Sequence, residues 1–545
     1  MIKNNIFAGL TVGIIALPLS MALSIAIGVA PQNGLYTAII AGVITAIFGS
    51  SKVNISGPTA AFVVILIPIV QEFGLKGLLI CGLLSGIILM AMGFAKLGTL
   101  IELIPYPVTV GFTTGIAVVI ATFQVKDFFG LQIENFSGHF HQKVYLLISN
   151  FHTIQISEFL VGLSTLAILI LWRKTNSRIP APLVALIVVT IATLIITKLY
   201  PNIQISTINS TFQYDINGIK GNGIPPIPLQ FSFPWNGYTW DDFSLDTLYK
   251  LLPHSIAIAI LGALESLLCA VITDSMIGHR TNPNKELIGQ GLANILVPFF
   301  GGIPATAAIA RSATNVKSGA SMPMASIVHS IFIFLSIVFF ANYLSYLPMA
   351  SLSALLLIVA WNMSEIKHFI NIIKVAPNHD IYVLLTCFIL TVLLDMQIAV
   401  GVGMGLASIL FIKRTIDLYS ISLINTKHPK IHENVPSYVG IYDINGPMFF
   451  GAAQRALRTL LDVRAEIKII VLNLENVSMM DMTALVAFES IIENFERNNK
   501  VLIITGAHER ILKKFHRVGI KPNNETLKFR DNIDIALSEL NKEIV

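Results

Sequence analysis

Apolar runs separated by polar positions, Pro or Gly follow one another through the first three quarters of the chain. They fall at about 6–27, 34–49, 58–71, 75–94, 103–125, 157–172, 181–198, 251–273, 286–300, 306–316, 321–341, 347–361, 379–395 and 398–412. A full crossing of the hydrocarbon takes about 20 apolar residues, so the pattern predicts 14 membrane segments, of which the third and the tenth are too short to cross as helices. These two open on matched small-residue runs, Ser56-Gly57-Pro58-Thr59-Ala60-Ala61-Phe62 and Gly301-Gly302-Ile303-Pro304-Ala305-Thr306-Ala307-Ala308-Ile309-Ala310-Arg311. Each is the third segment of its half if the chain divides seven plus seven, and an odd number of segments per half inverts one half against the other. Broken helices at corresponding positions of inverted halves put two helix N-termini face to face, where their partial positive charge favours an anion. The same Pro-Thr-Ala-Ala run also suits a kinked, closely packed helix interface.

After about residue 436 the period changes. Tyr438–Ile444, Lys468–Leu474 and Val501–Gly506 read as strands, with amphipathic helices near 450–463, 482–497, 508–518 and 531–541. The expected organisation is a transmembrane domain over 1–420, a linker over 421–436 and a small cytoplasmic α/β domain over 437–545.

Composition agrees with that division. Of the 545 residues 54% are hydrophobic and 12% charged, and residues 421–545 alone hold 16 of the 36 Lys and Arg and 15 of the 31 Asp and Glu. An even number of segments leaves both termini on one side. Placing them in the cytoplasm gives the inner loops thirteen Lys and Arg against six outside, as the positive-inside rule requires. The loops at about 126–156 and 199–250 then lie outside. Cys81, Cys269 and Cys387 sit in apolar runs without metal-binding spacing, so neither a disulfide framework nor a metal site is expected. No nucleophile elbow, phosphate loop or dinucleotide fingerprint occurs, and the chain reads as a non-enzyme without cofactor or nucleic-acid partner.

Glu265 lies in the middle of the apolar run 251–273. A carboxylate there costs on the order of 2 to 3 kcal/mol if left charged, so it faces the protein interior and titrates or finds a partner. It can carry a proton, form half of a cation site, or make a structural interhelical hydrogen bond. Arg311 either supplies a fixed positive charge to the anion site, reaches the inner surface, or pairs with Glu265. Thr59 and Thr306 offer hydroxyls to a ligand or cap the half-helices. Asp274 and Gly278–Pro283 read as a capped polar turn, and Gly401, Gly403 and Gly405 as helix-packing positions.

Glu265-Ser266-Leu267-Leu268, Gly289-Gln290-Gly291-Leu292-Ala293-Asn294, Gly301–Thr306, Asn315-Val316-Lys317-Ser318-Gly319 and Ala8–Pro18 together resemble the SulP family of anion transporters. Residues 437–545, with Val477–Ala484 around Asp481, resemble its C-terminal STAS domain. The resemblance implies a seven-plus-seven inverted fold with core and gate domains, an elevator-like motion and a homodimer in a bacterial-type inner membrane. Carried over, the substrate site falls on Thr59, Ala60, Ala308, Ala310 and Arg311, with Leu19 and Leu23 from the first segment. Relatives with aromatic or Gln residues in that first segment are chloride-type carriers, a role that Leu19 and Leu23 disfavour.

Sodium-coupled bicarbonate members resemble this chain around Glu265 but carry an Asp there and a Thr one turn on, where this chain has Glu265 and Cys269. A thiol is a poor ligand for a hard cation. The expected partners are therefore a small anion of the dicarboxylate, sulfate or bicarbonate class, protons rather than sodium, and the lipid bilayer. Met482 after Asp481 departs from the Asp-Ser of soluble phosphorylatable STAS proteins. A sodium-coupled bicarbonate carrier, a nucleobase carrier of the same fold and a membrane sensor signalling through residues 437–545 remain as alternatives.

Overall fold

The computed structural model describes the chain except residues 1, 100–104, 176, 178, 217–218, 227–228, 236–244, 395, 418–419, 425–434, 462–465, 524 and 543–545. Most of the expected linker, the first residues of the expected segment 103–125 and part of the loop 199–250 thus lie outside the described residues. The chain divides into two units, Met1–Ala407 and Ser408–Val545.

The first unit is helical. Its helices are α1 (Ile2–Ile27), α2 (Pro31–Phe48), α3 (Ala60–Phe94), α4 (Tyr106–Phe129), α5 (Phe140–Ser149), α6 (Ile156–Trp172), α7 (Ala181–Leu199), α8 (Ile208–Thr211), α9 (Leu245–Ile277), α10 (Pro283–Leu296), α11 (Ile309–Lys317), α12 (Met324–Leu344), α13 (Met349–Met363), α14 (Ile366–Val375) and α15 (Asn378–Leu393), and α16 (Met396–Asp417) begins in it and continues past Ala407. Among the described residues, ten helical stretches are long and apolar enough to cross a membrane. Segments 58–71 and 75–94 form the single element α3, broken at Gly74, whose φ of +65° an L side chain rarely adopts. The expected segment 286–300 is a 14-residue helix, α10, followed by one 3₁₀ turn over Val297–Phe300. Two short amphipathic helices, α5 and α14, were not expected.

Two-residue strands β1 (Ser56–Gly57) and β4 (Thr306–Ala307) pair antiparallel, Ser56 opposite Ala307 and Gly57 opposite Thr306. Between them in sequence, β2 (Gln213–Ile216) and β3 (Ile219–Asn222) make a hairpin within the expected outer loop. Of the three packing glycines expected in α16, Gly403 is the one that packs closely among the described residues. A Cβ there would lie 2.1 Å from Cys387 Sγ, whereas Gly401 and Gly405 have nothing within 4 Å.

The second unit holds a five-stranded sheet in the order β5 (Ser420–Leu423), β6 (Val439–Asn445), β7 (Ile469–Asn476), β8 (Val501–Thr505), β9 (Leu527–Arg530). β5 is antiparallel to β6 and the remaining pairs are parallel. Helices α17 (Phe450–Leu461), α18 (Met482–Arg497) and α19 (Glu509–Arg517) contribute Leu460, Phe488 and Phe515 to the core on one face, and α20 (Ile533–Lys542) places Leu537 and Leu540 on the other. β5 and β9 are additions to the three expected strands. Asp481 caps α18, its Oδ1 accepting from Ala484 N at 2.8 Å.

Candidate functional site

The sequence breaks at Pro58 and Pro304 work by bringing two extended segments together before each helix starts. α3 begins at Ala60 with Thr59 as N-cap, and α11 at Ile309 with Ala308 as N-cap. The two N-caps correspond, Thr59 to Ala308, while the β1–β4 register sets Thr306 opposite Gly57, three residues before the α11 start. The two Thr-Ala-Ala runs are therefore not structural equivalents. Similarity of composition put them in register, whereas backbone pairing sets it. Ala308 N donates to Ile55 O at 2.9 Å, extending the pairing by one residue.

Neither threonine caps its helix with its side chain. Thr59 Oγ1 donates to Glu265 Oε2 at 3.1 Å, and Thr306 Oγ1 donates to Gly262 O at 3.0 Å, so both tie the crossing to α9. Glu265 is 9% exposed, and among the described residues no ion pair joins it to Arg311. Arg311 is also buried and does not reach a surface. Its Nη2 donates to Pro58 O, closing the end of β1, while Nη1 has no hydrogen-bond partner among the described residues. Gly57 makes room for it: a Cβ on residue 57 would lie 2.9 Å from Arg311 Nη1 and 3.3 Å from Ala38 Cα.

The other expected wall residues divide. Thr59 is buried and Ala60 half-buried, while Ala308 is half-buried and Ala310 exposed, so the α11 end of the crossing is the more open. From α1, Leu23 is buried, whereas half-buried Leu19 packs with Leu169, Ala185 and Leu355 of α6, α7 and α13. Cys269 does not share a partner with Glu265. Its thiol donates to Asn54 Oδ1 at 3.4 Å, beside Thr273 Oγ1 at 3.0 Å on the same oxygen. Glu265 and Cys269 thus point to different neighbours, and among the described residues no group of three or more His, Cys, Asp or Glu is placed to hold a metal. Asp274 closes the turn after α9, accepting from Thr281 Oγ1 at 2.9 Å.

One set of supporting residues escaped the sequence reading. Glu286, Gln290 and Asn294 recur every four residues on α10, which places them on one face. Glu286 Oε2 accepts from Ser50 N at 2.8 Å and Ser51 N at 2.9 Å, and Gln290 Nε2 donates to Ser56 Oγ at 2.8 Å. Asn294 accepts from Ala305 N and donates to Ala305 O, both at 2.8 Å. This stripe holds the approaches to β1 and β4, and its spacing was the available signal. Glu286→Ala leaves two N–H groups without their acceptor at about 1–3 kcal/mol each. It is expected to lower the thermal midpoint of the purified protein by several degrees and to reduce substrate binding with it, whereas Glu286→Gln, which keeps an acceptor oxygen, recovers part of both.

The model of the sulfate permease family matches residues 2–387, and that of the STAS domain matches residues 428–536. The chain is 38% identical over 519 residues to YvdB of Bacillus subtilis (strain 168), named as a putative sulfate transporter, covering 95% of this chain and 94% of that one. It is 27% identical over 548 residues to the bicarbonate transporter BicA of Picosynechococcus sp. (strain ATCC 27264 / PCC 7002 / PR-6), covering 95% and 91%. Among solved structures, the overall structure of SLC26A9 matches with a TM-score of 0.83 at 16% identity, over 100% of this chain and 91% of that one, a likeness of fold.

Proposed function

We propose that this chain, which belongs to the sulfate permease family and carries a C-terminal STAS domain, is a secondary active transporter that carries a small anion and protons together. The family is one of anion transporters, and the relatives named for sulfate and bicarbonate supply the anion class, to which a dicarboxylate is added on chemical grounds. The substrate walls in this reading are Thr59, Ala60, Ala308, Ala310 and Arg311, with Leu23 and Leu19 from α1.

The observation that carries the coupling is the Thr59 hydroxyl on Glu265 Oε2 at 3.1 Å. Thr59 is the N-cap of α3, so an ionised Glu265 puts negative charge beside the same positive helix end that a substrate anion would occupy. Carboxylate and substrate then repel each other in a poorly screened site. A proton on Glu265 removes that repulsion, so proton and anion load and leave as a pair. Arg311 stays charged throughout and holds β1 through Pro58 O, lending a fixed positive potential that does not change with loading. Alternating access follows in this reading from an elevator-like shift of the crossing and the helices around it within an inner-membrane homodimer, both termini cytoplasmic, with the STAS domain as a binding or scaffolding module.

The test is uptake of labelled sulfate, bicarbonate and succinate into proteoliposomes under an imposed gradient. Accumulation with an inward proton gradient and no sodium supports the reading. Accumulation that follows a sodium gradient and ignores pH overturns it in favour of sodium coupling.

A further inference from the structure

Away from the crossing, a cavity of about 370 Å³ runs along α3 from Val64 to Glu72, bounded by Val119 and Phe123 of α4, Thr391–Leu393 of α15, His254 of α9 and Lys143 of α5. Its inner end lies one helical turn beyond Ala60. Lys143 is 3% exposed, and its Nζ lies 4.4 Å from the Phe123 ring centroid and 5.7 Å from that of Phe136. Among the described residues no carboxylate pairs with it.

The helix that presents it is well anchored. Gln142 Oε1 accepts from His139 N at 2.9 Å at the start of α5, and Leu147 packs with Leu131 and Ile133. A buried ammonium without a counter-ion is costly. Two aromatic faces offset about 2 kcal/mol of that when the charge is desolvated, and the remaining demand is for an anion. The other ionisable groups around the cavity do not meet it. Glu72 of α3 is exposed and makes no ion pair with Lys143, His254 of α9 stands edge-on to Phe73, His139 begins α5 itself, and Lys126 of α4 is a second cation 5.7 Å from the Phe136 ring. α15 contributes no ionisable side chain to it.

We propose that this cavity is a second oxyanion-binding station, with Lys143 as its charge, where the transported anion pauses on its way to or from the crossing. The station rests on the transport reading above for its purpose, but not for its chemistry. α5 belongs to the loop that the Lys and Arg distribution places outside, so the station serves the outer face. Burial pulls the Lys143 ammonium down to about 8, so it is charged at neutral pH and loses its charge as the pH rises through that value.

The experiment is initial-rate uptake from the outer face of oriented proteoliposomes with labelled sulfate, bicarbonate and succinate, at equal pH on both sides. Lys143→Gln is expected to raise KM by about 5- to 10-fold with kcat little changed. Lys143→Arg is expected to restore KM at pH 7 and, at pH 9.5, to weaken less than the wild type, because the two share any loss at Glu265 and only the wild type also loses the charge at 143. A Lys143→Gln KM equal to the wild-type value, or a loss confined to kcat, overturns the station. If none of the three anions is carried, the transport reading fails by itself. The station is then tested by acylation of Lys143 in maltoside micelles, which hold no lipid phosphate: slower modification in sulfate supports it and an unchanged rate overturns it.

Discussion

Glu265→Gln is expected to reduce proton-driven accumulation to the level of empty liposomes while leaving exchange of labelled for unlabelled anion across the same membrane. The amide keeps the shape of the side chain and still accepts from Thr59 Oγ1, so the bond that ties the α3 start to α9 survives. What it removes is the negative charge that competes with the substrate. The variant therefore behaves as a permanently neutral Glu265, binding and releasing anion without moving a proton. Its exchange rate is expected to vary by less than about twofold across the pH range in which the wild type changes most. Loss of exchange together with accumulation would make Glu265 a structural residue, and unchanged pH-driven uptake would remove it from the coupling step.

Arg311→Gln acts on the other half of the electrostatics. The wild-type guanidinium donates to Pro58 O through Nη2 and leaves Nη1 beside Gly57 with no hydrogen-bond partner among the described residues, so it is both a brace and a buried positive charge. Gln can keep one donor for the carbonyl but not the charge. Substrate binding to the purified variant is expected to weaken by about 10- to 150-fold, the equivalent of the 1.5–3 kcal/mol that charged hydrogen-bonding groups contribute. Arg311→Lys is expected to fall between the two, since an ammonium keeps the charge but not the forked geometry. Titration calorimetry with sulfate, bicarbonate and succinate measures both. An affinity equal to wild type in Arg311→Gln would show that the helix ends alone hold the anion.

Much of this arrangement was legible in the chain because its signals are local. A Pro break in an apolar run and a lone carboxylate inside another mark the α3 start and Glu265 without any knowledge of their contact. The strands and helices of the second unit follow from a change of period, except β5 and β9, which are only four residues each. What stayed hidden depends on partners remote in sequence. Thr306 looked equivalent to Thr59, yet it pairs with Gly57 in the β1–β4 register and Ala308 takes the N-cap place that Thr59 holds. Arg311 stands in the first turn of α11 as expected, but its bond to Pro58 O and its seat beside Gly57 depend on a segment 253 residues away. Glu286, Gln290 and Asn294 were absorbed into an apolar segment whose average concealed a four-residue polar stripe. Lys143 is buried with its Nζ over the rings of Phe123 of α4 and Phe136 of the following loop, contacts that a polar loop residue does not announce in the sequence.

The coupling claim is tested most directly by proton movement itself. Proteoliposomes loaded with a pH-sensitive dye, free of sodium and started at equal pH, are exposed to an inward gradient of sulfate or succinate. The interior is expected to acidify with wild-type protein as the anion brings protons in, and to stay at constant pH with Glu265→Gln while labelled anion still exchanges. Anion entry through the wild type without acidification, or acidification that persists in Glu265→Gln, would contradict the assignment of Glu265 as the proton carrier.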